Sequence, residues 1–235
     1  MAKAHFVYIA DVYCPWCYGF APIMKRLSET YPDFPVQVIG GNLISRPITL
    51  EEDAAASPGL TDFWHEVEKT TGRSLAGAIN AVESHKNVRM FSPAADEILM
   101  ALKKFVPGHE LSQLIQLEDM FYGQGKDLFT EESLKEVADT WNINISAFEN
   151  VLNNDATAEA TERKLEEASS LMGEITSYPS VLLVRENRID AVSRGYVHFE
   201  TVDARMRNAM ADLGLNVPEK GTFCSLHGSC TLHRR

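Results

Sequence analysis

The sequence has few of the features that mark membrane or nucleic-acid-binding proteins. No apolar run approaches the roughly 18 residues of a membrane helix, which excludes a transmembrane protein and predicts no membrane insertion. Basic residues are the minority: 22 Lys and Arg stand against 33 Asp and Glu, so the formal net charge is −11. Nucleic-acid binding depends on Lys and Arg that neutralise phosphates, and this balance therefore predicts no nucleic-acid partner.

The chain also contains few cysteines and only a short apolar stretch near its N-terminus. Four cysteines in 235 residues are too few for a disulfide-stapled scaffold. The only continuous apolar stretch near the N-terminus covers residues 6–10, which is too short for a signal peptide. We therefore expect a cytoplasmic protein if Met1 is the natural start, and a periplasmic one if a signal peptide has been removed. The length and a hydrophobic fraction of 45% predict one large folded domain or two small ones.

The start of the chain shows the pattern of a strand, a helix and a second strand. Residues 5–10 are rich in β-branched and aromatic types, as in a buried strand. After Cys17 the apolar residues follow helical spacing to about Tyr31, where Pro32 ends the helix. Residues 36–39 alternate as a second strand. These elements predict a βαβ unit.

The rest of the chain predicts a helical block followed by a return to mixed structure. Residues 46–154 show no convincing strand and predict about five helices, one of which starts at Ser92-Pro93 with Ser92 as its cap. A charged helix, a β-hairpin and a last helix follow, at residues 155–172, 181–192 and 199–213. This order predicts an α/β fold, namely a thioredoxin fold interrupted by an all-helical insertion. The predicted divisions are a thioredoxin-like domain (1–45 and 155–217), the helical insertion (46–154) and a Cys- and His-containing tail (218–235).

The motif Cys14-Pro15-Trp16-Cys17 lies between the first predicted strand and the first predicted helix. Residues i and i+3 are neighbours on a helix, so the two sulfurs can form a disulfide with little backbone movement. Cys14 is predicted at the N-cap, where free amides and the helix dipole stabilise a nucleophilic thiolate, and Pro15 suits the first helical position. Cys17 would resolve the mixed disulfide. A zinc pair is the alternative, but it needs about four ligands, and no second Cys-x-x-Cys lies nearby.

Residues 6–11 and the following segment CPWCYG (14–19) resemble the active-site opening of DsbA-type thiol-disulfide oxidoreductases, particularly their cytoplasmic FrnE-like branch. The resemblance covers most of the chain and includes YPSV at residues 178–181. It implies a cis Pro179 that faces the cysteines, and a Tyr178 whose backbone pairs with an extended substrate peptide. It also implies protein or peptide thiols and disulfides as substrates, a thiol redox recycling partner, and no cofactor beyond the redox-active disulfide, with glutathione as a candidate for recycling.

Several positions depart from the pattern of that family. Tyr8 stands where a buried carboxylate often accepts the proton of the second thiol, so that group is absent or supplied elsewhere. Asp11 is closer to the motif, but its position is more typical of a helix cap. Trp16 replaces the histidine of strongly oxidising members, so oxidation, reduction and isomerisation all stay open. Tyr13 and Tyr18, like Trp16, form either an apolar platform for peptides or part of the core.

The tail carries Cys224, His227, Cys230 and His233 in the pattern C-x2-H-x2-C-x2-H. One interpretation is an auxiliary disulfide between Cys224 and Cys230 that exchanges electrons with the first pair, and the resemblance to FrnE-like proteins includes a second cysteine pair late in the chain. We predict no bound metal, although these four side chains are a candidate set of zinc or copper ligands. The third interpretation is a solvated tail without a specific function.

The leading hypothesis is thus a protein-disulfide oxidoreductase with Cys14 as nucleophile and Cys17 as resolving thiol. One alternative is a glutathione-dependent isomerase or transferase of the kappa type, which shares this fold. Such enzymes usually work with a single serine or cysteine nucleophile, so the complete CPWC motif disfavours them. The other alternative is a metal-binding protein that uses the C-terminal tail.

Overall fold

The computed structural model describes residues 3–217. The tail residues in which we predict a disulfide or a metal site, Cys224, His227, Cys230 and His233, lie outside the described residues. Within the described range the helices and strands are, in chain order, β1 (His5–Ala10), α1 (Pro15–Thr30), β2 (Val36–Gly40), β3 (Ile48–Thr49), α2 (Leu50–Ala56), α3 (Leu60–Thr71), α4 (Ala76–Glu83), β4 (Arg89–Met90), α5 (Ser92–Phe105), α6 (Glu110–Glu118), a π-helical turn (Asp119–Gly123), α7 (Glu131–Thr140), α8 (Ile145–Leu152), α9 (Asp155–Met172), β5 (Ser180–Arg185), β6 (Arg188–Arg194) and α10 (Phe199–Asp212).

A four-stranded mixed sheet with the order β2-β1-β5-β6 forms the centre of the fold. Strand β1 runs parallel to β2, with Phe6 opposite Val36, and antiparallel to β5, with Ile9 opposite Ser180. Strands β5 and β6 form the predicted antiparallel hairpin. The predicted α/β class, a thioredoxin fold with a helical insertion, is confirmed.

Side chains of β1 alternate between the two faces of the sheet, as the period of a strand requires. Phe6 and Tyr8 join the large core on the face of α1 and the central helices, whereas Val7 and Ile9 join a smaller cluster against α9. Both faces of the strand are therefore buried, which explains why its sequence is continuously apolar.

The central segment departs from its prediction in two respects. The described chain has seven helices between β2 and α9, from α2 to α8, rather than about five. It also contains the antiparallel pair β3 and β4, so the prediction of no strand in this region was wrong. Each of these strands has only two residues, and so short a strand leaves no alternation in the sequence for a pattern to detect.

The start of α5 also differs from its prediction. The helix begins at Ser92, Phe91 is its N-cap, and no side chain caps it. Because Ser92 lies inside the helix, its hydroxyl is free to accept a hydrogen bond of 2.9 Å from the backbone N–H of Ile44. The prediction that Ser92 caps α5 was therefore wrong, and its side chain instead fastens the loop that follows β2.

Helix α1 is central to the packing and to the position of the cysteine motif. It contacts α3, α6 and α10, and its N-terminus lies just beyond the end of β1. The segment after α6 contacts this region directly, because the Tyr122 hydroxyl donates a hydrogen bond to the carbonyl of Tyr13 and the Tyr18 hydroxyl donates one to Asp119. None of the helices within residues 3–217 is long and apolar enough to cross a membrane.

Candidate active site

Cys14 lies at the N-terminus of α1, as predicted. It is the N-cap residue, with extended backbone dihedrals, and Pro15 is the first helical residue. The carbonyl of Cys14 accepts hydrogen bonds from the backbone N–H groups of Cys17 (2.9 Å) and Tyr18 (3.1 Å). The sulfur of Cys14 thus lies beside the positive end of the helix dipole and the unpaired amides of the first turn.

The two cysteines of the motif are free thiols that differ in exposure. Cys14 is 5% exposed, whereas Cys17 is fully buried. Burial raises the pKa of the Cys17 thiol, and a side-chain hydrogen bond with Cys14 raises it further. A substrate disulfide in solution can therefore contact only the sulfur of Cys14. Cys17 is shielded from solvent, one helical turn further along α1.

Asp11 organises the turn between β1 and the cysteines. Its Oδ1 accepts a hydrogen bond from the N–H of Tyr13, and its Oδ2 accepts one from the N–H of Leu43, each of 2.8 Å. The Ser92 hydroxyl bonds to the same carboxyl group. Our expectation that Asp11 caps the helix start was wrong, because Cys14 occupies the N-cap and no side chain caps α1. Burial raises the pKa of Asp11, and these hydrogen bonds oppose that effect.

Tyr178 and Pro179 lie where β5 begins, beside the end of β1. The peptide bond between them is cis. The Tyr178 hydroxyl accepts a hydrogen bond of 3.0 Å from the N–H of Asn42. A Cβ at Gly41 would lie 2.7 Å from the Cβ of Asp11 and 2.9 Å from Cε1 of Tyr178, so this close approach requires glycine. The loop after β2 is thereby held against both Tyr178 and Asp11.

The aromatic residues around the motif divide into two groups. Tyr13 and Tyr18 are 4% and 3% exposed, and they pack against Phe121 (4.9 Å between ring centroids) and Tyr122 (5.2 Å). For these two residues the structure favours the core interpretation. Trp16 is only partly buried, and its neighbours are Tyr196 at 5.4 Å and Phe63 at 6.1 Å.

A cavity of about 440 Å³ opens beside Pro15. Leu43 and Phe63, which are 47% and 42% exposed, line it together with the buried Trp64. Its wall is largely apolar and it adjoins the N-terminus of α1. The cavity can therefore take an apolar side chain of a chain that approaches the cysteines.

Glu118 is the residue of the site that sequence analysis missed. It is the last residue of α6, it is fully buried, and neither of its carboxyl oxygens has a hydrogen-bond partner within residues 3–217. Burial raises its pKa well above the usual value, and the charge of Cys14 raises it further. A sequence signal existed, because Glu118 follows Leu114 by four residues and so interrupts an apolar helix face.

Metal ligands are not grouped in the part of the chain that the structure describes. Within residues 3–217 no set of three or more His, Cys, Asp or Glu side chains could hold an ion. The candidate ligands of the tail lie beyond this range, so their arrangement stays a prediction.

Comparison with known proteins identifies one family. The family model described as a DSBA-like thioredoxin domain matches residues 7–174, which include the CPWC motif and the helical segment. No curated protein shows a significant match to the chain.

Solved structures of similar fold come from several bacteria. A Nitrosomonas europaea protein described as a protein disulfide isomerase is 22% identical, with a TM-score of 0.77 over 90% of this chain and 99% of that one. The cytosolic disulfide reductase DsbM from Pseudomonas aeruginosa is 16% identical, with a TM-score of 0.68 over 89% and 98% of the two chains. DsbM was also solved with GSH (TM-score 0.66, 90% and 100% covered). At these identities the similarity shows the fold.

Proposed function

Because the chain belongs to the DSBA-like thioredoxin domain family, we propose that it is a thiol-disulfide oxidoreductase acting on protein or peptide substrates through Cys14 and Cys17. One observation carries the proposal. Cys14 is the N-cap of α1, and a buried free thiol, Cys17, lies one helical turn behind it and shares a hydrogen bond with it.

The proposed reaction has two exchanges. The Cys14 thiolate attacks a substrate disulfide, one substrate sulfur leaves as a thiolate, and a mixed disulfide forms. Cys17 then attacks the sulfur of Cys14, which breaks the mixed disulfide and releases the second substrate thiol. The protein is left with a Cys14–Cys17 disulfide. The same steps run in reverse when the disulfide form oxidises a dithiol.

Substrate binding is proposed at the surface between Pro179, Trp16 and the cavity beside Pro15. Tyr178 would offer its backbone to an extended peptide, in the manner of a strand that adds to a sheet edge. The exposed apolar residues Leu43 and Phe63 would hold a neighbouring side chain of that peptide. Unfolded or extended segments present both features, whereas a compact folded surface does not.

The proposal also includes how the Cys14–Cys17 disulfide is recycled, where in the cell the protein acts, and to which branch of the family it belongs. We propose that a cellular thiol such as glutathione reduces the Cys14–Cys17 disulfide, for which the structural neighbour solved with GSH is the support. We propose a cytoplasmic location because the same neighbour is described as cytosolic. Membership in the FrnE-like branch rests on the sequence resemblance alone.

The test is the reduction of a disulfide-bonded peptide by dithiothreitol, with the full chain as catalyst. We expect the unsubstituted protein to accelerate it, and Cys14→Ser and Cys17→Ser to remove the acceleration. A glutathione-dependent isomerase of the kappa type needs only one nucleophile, so full activity of Cys17→Ser would favour that alternative. Absence of acceleration by the unsubstituted protein would refute the proposed function.

A further inference from the structure

The cavity beside Pro15 is lined by a single charged side chain, that of Asp53. Asp53 lies in the first turn of α2, and it lines this cavity of about 440 Å³ together with Pro15, the residue that directly follows Cys14. The other described residues of the lining include no Lys, Arg, His or second acidic residue. One carboxylate is therefore set in an otherwise uncharged wall beside the cysteine motif.

The carboxyl group of Asp53 has no partner among the described residues. Its two acidic neighbours on α2 are already engaged, Glu51 with His85 at 3.4 Å and Glu52 in the capping box at the start of the helix. Asp53 is half-buried, and its side chain forms neither a hydrogen bond nor an ion pair in the described part of the chain. Burial raises the pKa of Asp53, and no favourable contact opposes that effect. A cation that entered the cavity would supply the missing partner.

The apolar part of the cavity suits the hydrocarbon portion of a long cationic side chain. Leu43 and Phe63 line the cavity and are 47% and 42% exposed, so both offer apolar surface to a bound peptide. Lysine and arginine bury their methylene groups along such surface and keep the charged end beside polar groups. The ring of Phe63 also attracts a cation placed over its face. An acidic side chain would instead meet the negative charge of Asp53 in surroundings of low polarity.

We propose that Asp53 gives the protein a preference for substrate peptides that carry Lys or Arg near the reacting cysteine. The methylene groups of that residue pack against Leu43 and Phe63, and its ammonium or guanidinium group pairs with the Asp53 carboxylate. An extended chain rises about 3.3 Å per residue, so this residue lies about two positions from the cysteine that Cys14 attacks. The inference rests on the proposed function, because it names the class of substrate on which the cysteine motif acts.

A contact in the cavity has to be separated from the general attraction of an acidic protein for cations. The chain carries a formal net charge of −11, which attracts any cationic peptide from a distance. Asp62 provides the matched control, because it lies in the first turn of α3 next to Phe63, is exposed and does not line the cavity. Asp53→Asn and Asp62→Asn thus remove the same charge from the first turns of two helices, and only Asp53→Asn removes it from the cavity wall.

The test measures the first exchange with three synthetic peptides that differ in one residue type. The full chain carries Cys224→Ser and Cys230→Ser, so that two of its four cysteines remain. Each peptide has one cysteine, bonded through a disulfide to thionitrobenzoate, and either Lys, Met or Glu at the second position on both sides of it. Attack of Cys14 on the peptide sulfur releases thionitrobenzoate, whose absorbance is followed by stopped flow. Peptide concentrations well below saturation, at physiological salt, give the second-order rate constant for each peptide.

We expect the parent chain to react about three- to tenfold faster with the Lys peptide than with the Met peptide, and more slowly still with the Glu peptide. Asp53→Asn should bring the three rate constants within about twofold of one another, whereas Asp62→Asn should keep the preference. Asp53→Lys should favour the Glu peptide. The inference would be overturned by a parent chain without preference, by an unchanged preference in Asp53→Asn, or by equal losses in the two Asn variants. A parent chain that releases no thionitrobenzoate from any peptide would instead refute the proposed function.

A measurement that leaves Asp53 unchanged covers the case in which its variants do not fold. Cys17→Ser, with both tail substitutions, is bonded through Cys14 to the Lys peptide or to the Met peptide, and carbon-13 NMR follows the titration of the Asp53 carboxyl group in each adduct. A neighbouring ammonium group stabilises the carboxylate, so we expect a lower pKa for Asp53 in the Lys adduct than in the Met adduct. Equal pKa values in the two adducts would overturn the inference, and absence of both adducts would refute the proposed function.

Discussion

The backbone N–H of Leu43 donates a hydrogen bond of 2.8 Å to Oδ2 of Asp11. This contact joins the loop after β2 to the turn that precedes Cys14, although the two residues are 32 positions apart in sequence. The other carboxyl oxygen holds the N–H of Tyr13 in the same turn. One side chain thus fixes both the start of α1 and the wall of the neighbouring cavity, to which Leu43 and Tyr13 contribute.

Asp11→Ala is expected to lower the free energy of unfolding by about 2–5 kcal/mol. The substitution leaves the buried N–H of Tyr13 and the partly buried N–H of Leu43 without acceptors, and an unpaired buried group costs about 1–3 kcal/mol. Urea denaturation measures the change. The control is Asp53→Ala, a half-buried carboxyl group in the first turn of α2, for which we expect a loss below about 1 kcal/mol. Equal losses in the two variants would contradict the role of Asp11.

Tyr178→Phe is expected to raise KM for a peptide disulfide about two- to tenfold and to change kcat less. The variant removes the hydrogen bond between the Tyr178 hydroxyl and the N–H of Asn42, which is worth about 0.5–1.5 kcal/mol. The segment before Pro179 should then align the peptide less well. Tyr31→Phe is the control, because it removes the bond to Asp203 at the opposite end of α1. Steady-state kinetics measure both constants. The same KM for Tyr178→Phe and the parent protein would contradict the role of Tyr178 in aligning the substrate peptide.

Stability is expected to fall as the pH rises from about 4 toward neutrality. Burial raises the pKa of Asp11, Asp96 and Glu118 in the folded protein above their values in the unfolded chain. The folded state then holds protons that the unfolded state has released, so the stabilisation present below the unfolded pKa is lost as the pH passes through the folded pKa. Asp96→Asn should flatten the slope by at most about 1.4 kcal/mol per pH unit, over the range between the unfolded and the folded pKa of Asp96. Urea denaturation of both proteins across this pH range measures the slope of the free energy of unfolding. An identical slope in Asp96→Asn and the parent protein would refute the prediction.

The reduction potential of Cys14–Cys17 is expected to be closer to about −270 mV, as in thioredoxin, than to about −120 mV, as in strongly oxidising DsbA. A strong oxidant owes its potential to a stabilised reduced form. Here the buried carboxyl groups of Glu118 and Asp11 lie near the pair, and burial raises the pKa of the Cys17 thiol. Equilibration in glutathione buffers, with Cys224→Ser and Cys230→Ser, measures the potential. A value near −120 mV, by the same comparison, would show a disulfide donor instead.

The elements with strong local signals could be predicted from the sequence. The apolar run of β1, the CPWC motif at the start of α1 and the hairpin of β5 and β6 each follow from residue types within a few positions. Helix α10 ends before Gly214, which has the positive φ expected after a helix. The two-residue strands β3 and β4 could not be predicted, because only their pairing across the fold defines them.

The site was predictable only where its residues are close in sequence. Cys14 and Cys17 form a local motif, whereas Glu118 is distant in sequence and influences them electrostatically because α6 packs against α1. Ser92 looked like a helix cap, and its contact with the loop after β2 became visible only in three dimensions. Tertiary contacts decide which polar side chains enter a core, and local sequence does not record those contacts.

The assignment of Cys14 as nucleophile and Cys17 as resolving thiol is tested by mass spectrometry of two variants, each with one cysteine of the motif, after reaction with a disulfide-bonded peptide. The full chain carries Cys224→Ser and Cys230→Ser, and either Cys17→Ser or Cys14→Ser. We expect Cys17→Ser to accumulate a covalent peptide adduct on Cys14, because the buried thiol that would release it is absent. We expect Cys14→Ser to form none, because Cys17 is fully buried. Equal adducts on both variants, or none on either, would contradict the assignment of Cys14 as nucleophile and Cys17 as resolving thiol.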